Sequence, residues 1–174
     1  MTAGVGIRIA LVVFVIAIVQ VSVLSSVVIG GAAPELLLVT GVAIGLLRGA
    51  IAGSITGFAA GLVVDVATLG TLGFTSLLLT LVGFWAGRYG ETTGYNRAQA
   101  PLLASVAAAV AAGFGGYALA SMLGGPVDAR AALVSLPATV VWSALLAYPV
   151  FALVRALIGG SERVERAREV ELLV

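Results

Sequence analysis

Asp65 calls for an explanation on chemical grounds, because it lies at the end of a long apolar segment, where an unneeded charge is normally avoided. Its carboxylate could bind a cation or a solute, contact a partner, or accept hydrogen bonds from amides of its own loop, near Ala67 or Thr68. Glu35 is a second acid, at the start of a predicted helix whose N-terminus favours negative charge. We therefore treat Asp65 and Glu35 as candidate partner-binding or structural residues.

No catalytic set accompanies these two acids. The sequence contains no Cys, no His and no Lys, which excludes thiol nucleophiles, imidazole bases and nearly all zinc chemistry. It also contains no glycine-rich phosphate-binding loop of the kind that ATPases use. We expect a protein that is not an enzyme and that has no cofactor and no bound metal.

The composition indicates an integral membrane protein. Of the 174 residues, 61% are hydrophobic and only 10% are charged, whereas roughly a quarter are charged in a soluble domain. The mean hydropathy is +1.19, and a net charge of +1 gives no general attraction to nucleic acid. The apolar run from Ile9 to Ile29 exceeds the ~7–15 residues of a signal-peptide core, so it predicts a retained first helix.

The breaks between apolar segments predict an all-α, compact bundle of six transmembrane helices. The predicted segments are approximately Arg8–Ile29, Glu35–Leu47, Ala50–Val66, Leu72–Arg88, Pro101–Leu123 and Ala131–Ile158. Five helices with a hairpin-like element remain an alternative, because the second and third segments are only moderately separated. Residues 1–160 form the predicted membrane domain, and residues 161–174 a short charged cytoplasmic helix after Gly159-Gly160.

The arginines predict the orientation of these helices. With six spans, one side of the membrane carries Arg8, Arg48, Arg88, Arg97, Arg155, Arg163, Arg166 and Arg168. The other side carries Arg130 alone. Because positive residues concentrate in cytoplasmic segments, both termini are expected in the cytoplasm.

Glycines recur at every fourth position before Asp65, at Gly45, Gly49, Gly53, Gly57 and Gly61. Such spacing allows another helix backbone to approach closely. Each step advances ~400°, so successive glycines drift by ~40°. This drift predicts a small face that winds around a central helix contacted by several others, in a monomeric bundle, rather than a single two-helix contact.

Other small residues extend this interpretation. Gly83 and Gly87 mark the fourth helix, and alanines and glycines recur at every fourth position of the fifth, from Ala100 to Gly124. We expect helices three to five inside the bundle and the first, rich in Val, Ile and Leu, more exposed to lipid or to a partner. Gln20, in the first helix, is expected to form an interhelical hydrogen bond, with a substrate contact as the alternative.

The segment from Pro34 to Arg88 resembles the rod shape-determining MreD family. The resemblance consists of Pro34-Glu35, Arg48-Gly49, the run Gly57-Phe58-Ala59-Ala60-Gly61-Leu62-Val63-Val64-Asp65, Gly70-Thr71-Leu72-Gly73-Phe74, and Leu77 to Gly83-Phe84. This chain has Thr75-Ser76 where the family more usually has an apolar residue followed by Ala.

The resemblance implies a non-enzymatic scaffold subunit of the bacterial cell-elongation complex in the cytoplasmic (inner) membrane. Its implied partners are an MreC-like one-span protein, MreB and peptidoglycan synthases, together with membrane lipids. The family is also similar in fold to substrate-binding components of energy-coupling-factor vitamin transporters, which is the alternative function. Span one has no Ala-x-x-x-Ala pair of the kind those components use for docking, which favours the scaffold.

The candidate residues form two groups. Those predicted to bind a partner or to support the structure are Asp65, Glu35, Gly57, Phe58, Gly61 and Gly73. Those predicted to pack helices are Gly49, Gly53, Gly83 and Gly87.

Overall fold

The computed structural model describes residues 3–22, 32–69, 71–93, 99–124 and 129–172. Every regular element in these ranges is an α-helix. The helices are α1 (Ala3–Ser22), α2 (Leu36–Arg48), α3 (Ala50–Ala67), α4 (Phe74–Thr93), α5 (Ala100–Met122) and α6 (Ala129–Leu172). The all-α prediction is confirmed, and each predicted segment corresponds to one helix. The predicted continuation of the first helix to Ile29 lies outside the described residues.

Three of the described helices contain a segment long and apolar enough to cross a membrane. These segments are Ala50–Ala67, Ala100–Met122 and Leu133–Ile158, and the shorter helical segments Gly6–Ser22 and Leu36–Arg48 are also apolar. At ~1.5 Å per residue, α2 is roughly 20 Å long, less than the ~30 Å of a bilayer core. Six complete spans with cytoplasmic termini remain a prediction.

The central helix of the bundle is α2, which contacts each of the other five. Its residues from Leu37 to Leu46 are buried without interruption. A helix that is apolar all round is expected to be buried on every side. The prediction that helices three to five lie inside was therefore wrong, because each of them has an exposed apolar side, with Ile51 exposed on α3, Trp85 on α4 and Phe114 on α5.

α1 lies at the outside of the bundle, as predicted. Among its described side chains, only Ile9, Val13 and Ala17 are buried, Ile16 is partly buried, and Phe14 and Ile18 are among those that are exposed. α1 packs against α2, α3 and α6. The spacing of four between its buried residues is that of a single contacting stripe on a helix.

α6 is one long helix in the backbone, continuing through Gly159 and Gly160 to Leu172. The C-terminal tail is thus a continuation of α6 rather than a separate helix. The division into a membrane domain over 1–160 and a charged tail over 161–174 stays a prediction, because the tail side chains lie outside the described residues.

Two ends of the bundle are defined by contacts between helices. At the arginine end, named for Arg48 and Arg88, an Nη of Arg48 donates to the carbonyl of Ile158 in α6 at 3.2 Å. Because α2, α3 and α4 follow one another as antiparallel neighbours, the opposite end holds Asp65 and the start of α4. We call this opposite end the aspartate end.

Candidate functional site

Asp65 is buried at the aspartate end, with a relative exposure of only 2%. Its Oδ2 accepts hydrogen bonds from the amides of Gly73 at 2.8 Å and Ser76 at 3.3 Å, and its Oδ1 from the amide of Thr75 at 3.1 Å. The amides of Thr75 and Ser76 belong to the first turn of α4 and that of Gly73 directly precedes it, at a helix start where backbone donors have no partner within the helix. Asp65 therefore caps α4 from α3, and its charge also opposes the positive end of the helix dipole.

Hydrogen bonds in the loop between α3 and α4 explain why the Asp65 carboxylate binds amides at the start of α4 rather than the amides directly after it. The amide of Thr68 donates to the carbonyl of Val64 at 2.8 Å, so it is not available to the carboxylate. The expected hydrogen bonds near Ala67 and Thr68 were therefore wrong, although the prediction that Asp65 binds backbone amides holds. Gly73 has φ +91°, a conformation that glycine adopts readily, and it directs its amide towards Asp65.

At the arginine end, Glu91 caps the start of α3 as Asp65 caps the start of α4. Its Oε1 accepts a hydrogen bond from the amide of Ala50, the first residue of α3, at 2.8 Å. Its Oε2 lies 3.3 Å from an Nη of Arg88 in an exposed ion pair. α3 and α4 thus each place a carboxylate near their C-terminus against the N-terminus of the other.

Gly49 makes room for this contact. It forms the turn between α2 and α3 with φ +88°, and a Cβ at this position would lie 2.6 Å from Oε1 of Glu91. Gly49 lies in the turn that the sequence predicts at Arg48-Gly49, where it admits the Glu91 side chain, and its role in helix packing stays a prediction.

Gln20 supplies a third contact of the same kind. Its Nε2 donates to the carbonyl of Pro34 at 3.0 Å, and its Oε1 accepts from the amide of Leu36 at 2.8 Å. Since Leu36 begins α2, the amide side chain joins α1 to the start of α2. The predicted interhelical hydrogen bond of Gln20 is confirmed, with backbone groups as its partners.

Between the two carboxylate caps, α3 and α4 pack backbone against backbone. A Cβ on Gly53 would collide with the carbonyl of Gly83, and one on Gly57 with the carbonyl of Leu79. A Cβ on Gly61 would collide with the backbone of Ser76. We call this contact the glycine seam: Gly53, Gly57 and Gly61 of α3 against Ser76, Leu79 and Gly83 of α4.

The glycine seam contradicts the prediction that the successive glycines, drifting by ~40° per step, form a face contacted by several helices. All three glycines of α3 meet α4, so they form one principal two-helix contact rather than a face shared among several helices. Rows of residues spaced by four are inclined to the helix axis, and a neighbour that crosses at an angle follows such a row. Gly45 lies on α2, where its Cβ would be 2.7 Å from the carbonyl of Gly83.

The remaining glycines of α4 also face backbone. A Cβ on Gly87 would collide with Ala50 of α3, and one on Gly90 would lie 2.8 Å from the carbonyl of Leu46 in α2. α4 therefore rests on the hairpin of α2 and α3 over most of its length. Approaches this close permit weak Cα–H to carbonyl contacts along the helices.

Phe58 belongs to the exposed side of α3, next to the glycine seam. Its side chain is 53% exposed, while its carbonyl accepts a hydrogen bond from Oγ of Ser76 at 3.2 Å. The hydroxyl of Ser76 thus adds a side-chain contact across the glycine seam. The exposed apolar residues of this face recur at three or four positions: Ile51, Ile55, Phe58, Leu62 and Val66.

Glu35 differs from Asp65. It is the residue before α2, is partly buried, and makes no side-chain capping hydrogen bond. The starts of α2 and α4 both lie at the aspartate end, but no described contact joins Glu35 to Asp65. Among the described residues, no group of three or more His, Cys, Asp or Glu could hold a metal ion.

Glu91 is the functional residue that the sequence analysis missed. The signal was indirect: α3 begins after a glycine, which has no side chain to cap it, so its first amides need an acceptor from elsewhere. The same is true of α4, which begins after Gly73. Together these contacts form a site whose chemistry is structural, because the described oxygens of Asp65 and Glu91 bind partners within the chain.

Comparison with known proteins identifies one family. The family model described as rod shape-determining protein MreD matches residues 4–159. No curated protein and no solved structure matches the chain.

Proposed function

The chain belongs to the family of the rod shape-determining protein MreD, and from this premise we propose that it is a scaffold subunit of the bacterial cell-elongation complex. Membership establishes a rod shape-determining membrane protein, and this family is not known for enzymes. The proposal adds that the chain is non-enzymatic, binds an MreC-like one-span protein, and acts with MreB and peptidoglycan synthases. The match over residues 4–159 is the observation that carries it.

The contacts between α3 and α4 support a scaffold role. The two helices share the most extensive contact of any helix pair in the described chain, and their ends are joined through Asp65 and Glu91. A hairpin fixed in this way presents the same outer surface with or without a partner. Preorganisation of this kind lowers the entropy cost of association.

We place the contact with the one-span partner on the exposed face of α3, around Phe58. Among the candidate partner-binding residues, Phe58 is the one with a large exposed side chain. In this proposal Asp65, Gly57, Gly61 and Gly73 act indirectly, since they hold α3 and α4 together. Glu35 remains a candidate at the same end of the bundle.

We also propose that the protein is a multi-pass protein of the bacterial inner membrane with both termini in the cytoplasm. The hydrogen bond from Arg48 to Ile158 supports this orientation, because it brings two of the arginine-bearing segments together at one end. The vitamin-transporter alternative is not favoured, because the matching family is a shape-determining one.

Co-purification with a tagged MreC-like one-span protein tests the proposal. We expect wild type to be recovered and Phe58→Ala to be recovered in clearly smaller amount. Phe114→Ala is the matched control, because Phe114 is 56% exposed on α5. Protein levels in the membrane are measured alongside, so that loss of folded protein is separated from loss of binding.

Two results would count against the proposal in different ways. Failure to recover wild type with the one-span protein would contradict the proposed partner. Equal recovery of wild type, Phe58→Ala and Phe114→Ala would contradict the proposed surface while leaving the partner in place. Asp65→Asn is expected to reduce recovery only in proportion to the loss of folded protein.

A further inference from the structure

A cleft of about 600 Å³ lies between α4 and α5. One wall carries large side chains of α4, including Leu78, Trp85 and Tyr89, and the other carries small residues of α5, including Ala107 and Ala111. We call it the apolar cleft, because almost all of its lining is hydrocarbon. Its volume falls within the ~300–1,000 Å³ of typical small-molecule sites.

The length of the apolar cleft matches one leaflet of a bilayer. It follows α4 from Leu78 to Tyr89, roughly 17 Å at ~1.5 Å per residue. A bilayer hydrocarbon core is ~30 Å thick, so one leaflet is about 15 Å. The cleft is therefore long enough to hold one acyl chain of a single leaflet.

The two ends of the apolar cleft differ. Gly115 and Leu78 close the inner end, where a Cβ on Gly115 would lie 3.2 Å from Cδ1 of Leu78. The other end lies towards the arginine end of the bundle and is flanked by Trp85 and Tyr89, residue types that favour the membrane interface. Arg88 follows Trp85 by three residues and so lies on the same side of α4.

Arg88 adds a positive charge beside this opening. Its side chain is 56% exposed, and although it pairs with Glu91, a guanidinium has five donors. Arginine and phosphate form strong, charge-assisted hydrogen bonds. An apolar cleft one leaflet long, with the exposed Arg88 three residues beyond Trp85, is complementary in length and charge to a phospholipid.

We propose that the apolar cleft holds one acyl chain of a phospholipid from the leaflet at the arginine end, with Arg88 contacting its phosphate. The lipid fills the space that α5 leaves beside α4. This proposal does not depend on the proposed function, since it concerns α4 and α5 rather than the exposed face of α3.

Retention of lipid by the purified protein tests the proposal. Native mass spectrometry of wild type in mild detergent is expected to show one retained phospholipid. Ala111→Phe places a ring in the apolar cleft and is expected to lower this retention several-fold. Ala118→Phe is the matched control, since Ala118 is an exposed residue of the same helix outside the cleft lining, and it should retain the lipid as wild type does.

Fluorescence gives a second readout in the assembled bilayer. In a Trp142→Phe background, Trp85 is the remaining tryptophan. Phospholipids brominated along the acyl chain should quench the fluorescence of Trp85 more strongly in the Trp142→Phe variant than in the double variant that also carries Ala111→Phe. Arg88→Gln should lower retention of the phospholipid in the mass spectra without placing any group in the cleft.

Three outcomes would overturn the proposal. One is the absence of retained phospholipid on wild type, together with equal quenching before and after Ala111→Phe. Another is unchanged retention in Ala111→Phe that is shown to be folded by circular dichroism. The last is that Ala111→Phe no longer co-purifies with a one-span protein while it retains the phospholipid as wild type does. This result would identify a helix as the occupant.

Discussion

α4 packs against α3 through its backbone and against α5 through its side chains, although both neighbours carry small residues at four-residue spacing. On the α3 side, Gly83 and Gly53 each occupy the space that a Cβ on the other would need. On the α5 side, alanines such as Ala107 face Leu81 and Trp85 across the apolar cleft. Small residues on one helix therefore produce close contact where the facing helix presents its backbone at the same level, as Leu79 does to Gly57.

The ends of the two contacts differ as well. The glycine seam lies between two carboxylate caps, Asp65 on the start of α4 and Glu91 on the start of α3. α5 begins with Pro101 near its N-terminus and has no side-chain cap at Gln99. Caps that cross from one helix to the other hold the relative position of α3 and α4, which supports the proposal that these two helices are the fixed part of the scaffold.

The largest effect is expected from Gly61→Leu in the glycine seam. Its side chain would collide with the backbone of Ser76, so α3 and α4 must separate, at a cost of about 3 kcal/mol or more in the free energy of unfolding. Unfolding by denaturing detergent in mixed micelles, followed by circular dichroism, measures it.

Gly116→Leu is the control for this substitution, because a Cβ on Gly116 in α5 meets no atom within 4 Å. We expect it to change the free energy of unfolding by less than about 1 kcal/mol. Equal destabilisation by the two variants would show that the glycine seam is no tighter than the α5 side.

Asp65→Asn should have the next largest effect. Asparagine has a single acceptor oxygen where the carboxylate accepts three amides, and its amino group would face these donors. A loss of about 2 kcal/mol in the free energy of unfolding is expected from hydrogen bonds to a charged group. Glu35→Gln, which removes an acid with no capping bond, should change this free energy by no more than about 0.5 kcal/mol. If the two variants unfold alike, the cap on α4 contributes nothing measurable.

Glu91→Ala should have a smaller effect, because Glu91 is exposed to solvent. Loss of the cap on Ala50 is expected to lower the free energy of unfolding by about 1 kcal/mol. Arg88→Ala removes the exposed ion pair and, in detergent, should cost less than about 0.5 kcal/mol. Thermal unfolding in detergent compares the stability of these two variants with that of wild type. A larger effect of Arg88→Ala than of Glu91→Ala would assign the stabilisation to the ion pair instead.

The helices could be predicted from the sequence because apolar runs and their breaks are local features. α3, for example, was predicted to begin at Ala50 and does so. The central position of α2 was missed, since the recurring small residues of helices three to five were taken to mark the inside of the bundle. The run from Leu37 to Leu46, in which Thr40 is the one polar residue, was the better indicator, because a helix without a polar face must be buried on all sides.

The partners of the polar side chains could be predicted only in kind. That Asp65 and Gln20 bind backbone or other helices follows from their apolar surroundings. Which amides they bind depends on the start of the following helix and on its position in space, which one sequence does not contain. Glu91 was missed for this reason, since its partner Ala50 lies 41 residues away.

The central claim is that the glycine seam is closed at the level of the backbone, whereas α5 is not packed in this way. The free energies of unfolding of Gly57→Ala and Gly116→Ala test it most directly. In a helix, Ala is favoured over Gly by roughly 0.5–1 kcal/mol, so Gly116→Ala should stabilise the protein. Gly57→Ala should destabilise it by about 1–3 kcal/mol, since its methyl group would collide with the carbonyl of Leu79. Stabilisation by both substitutions would contradict the account.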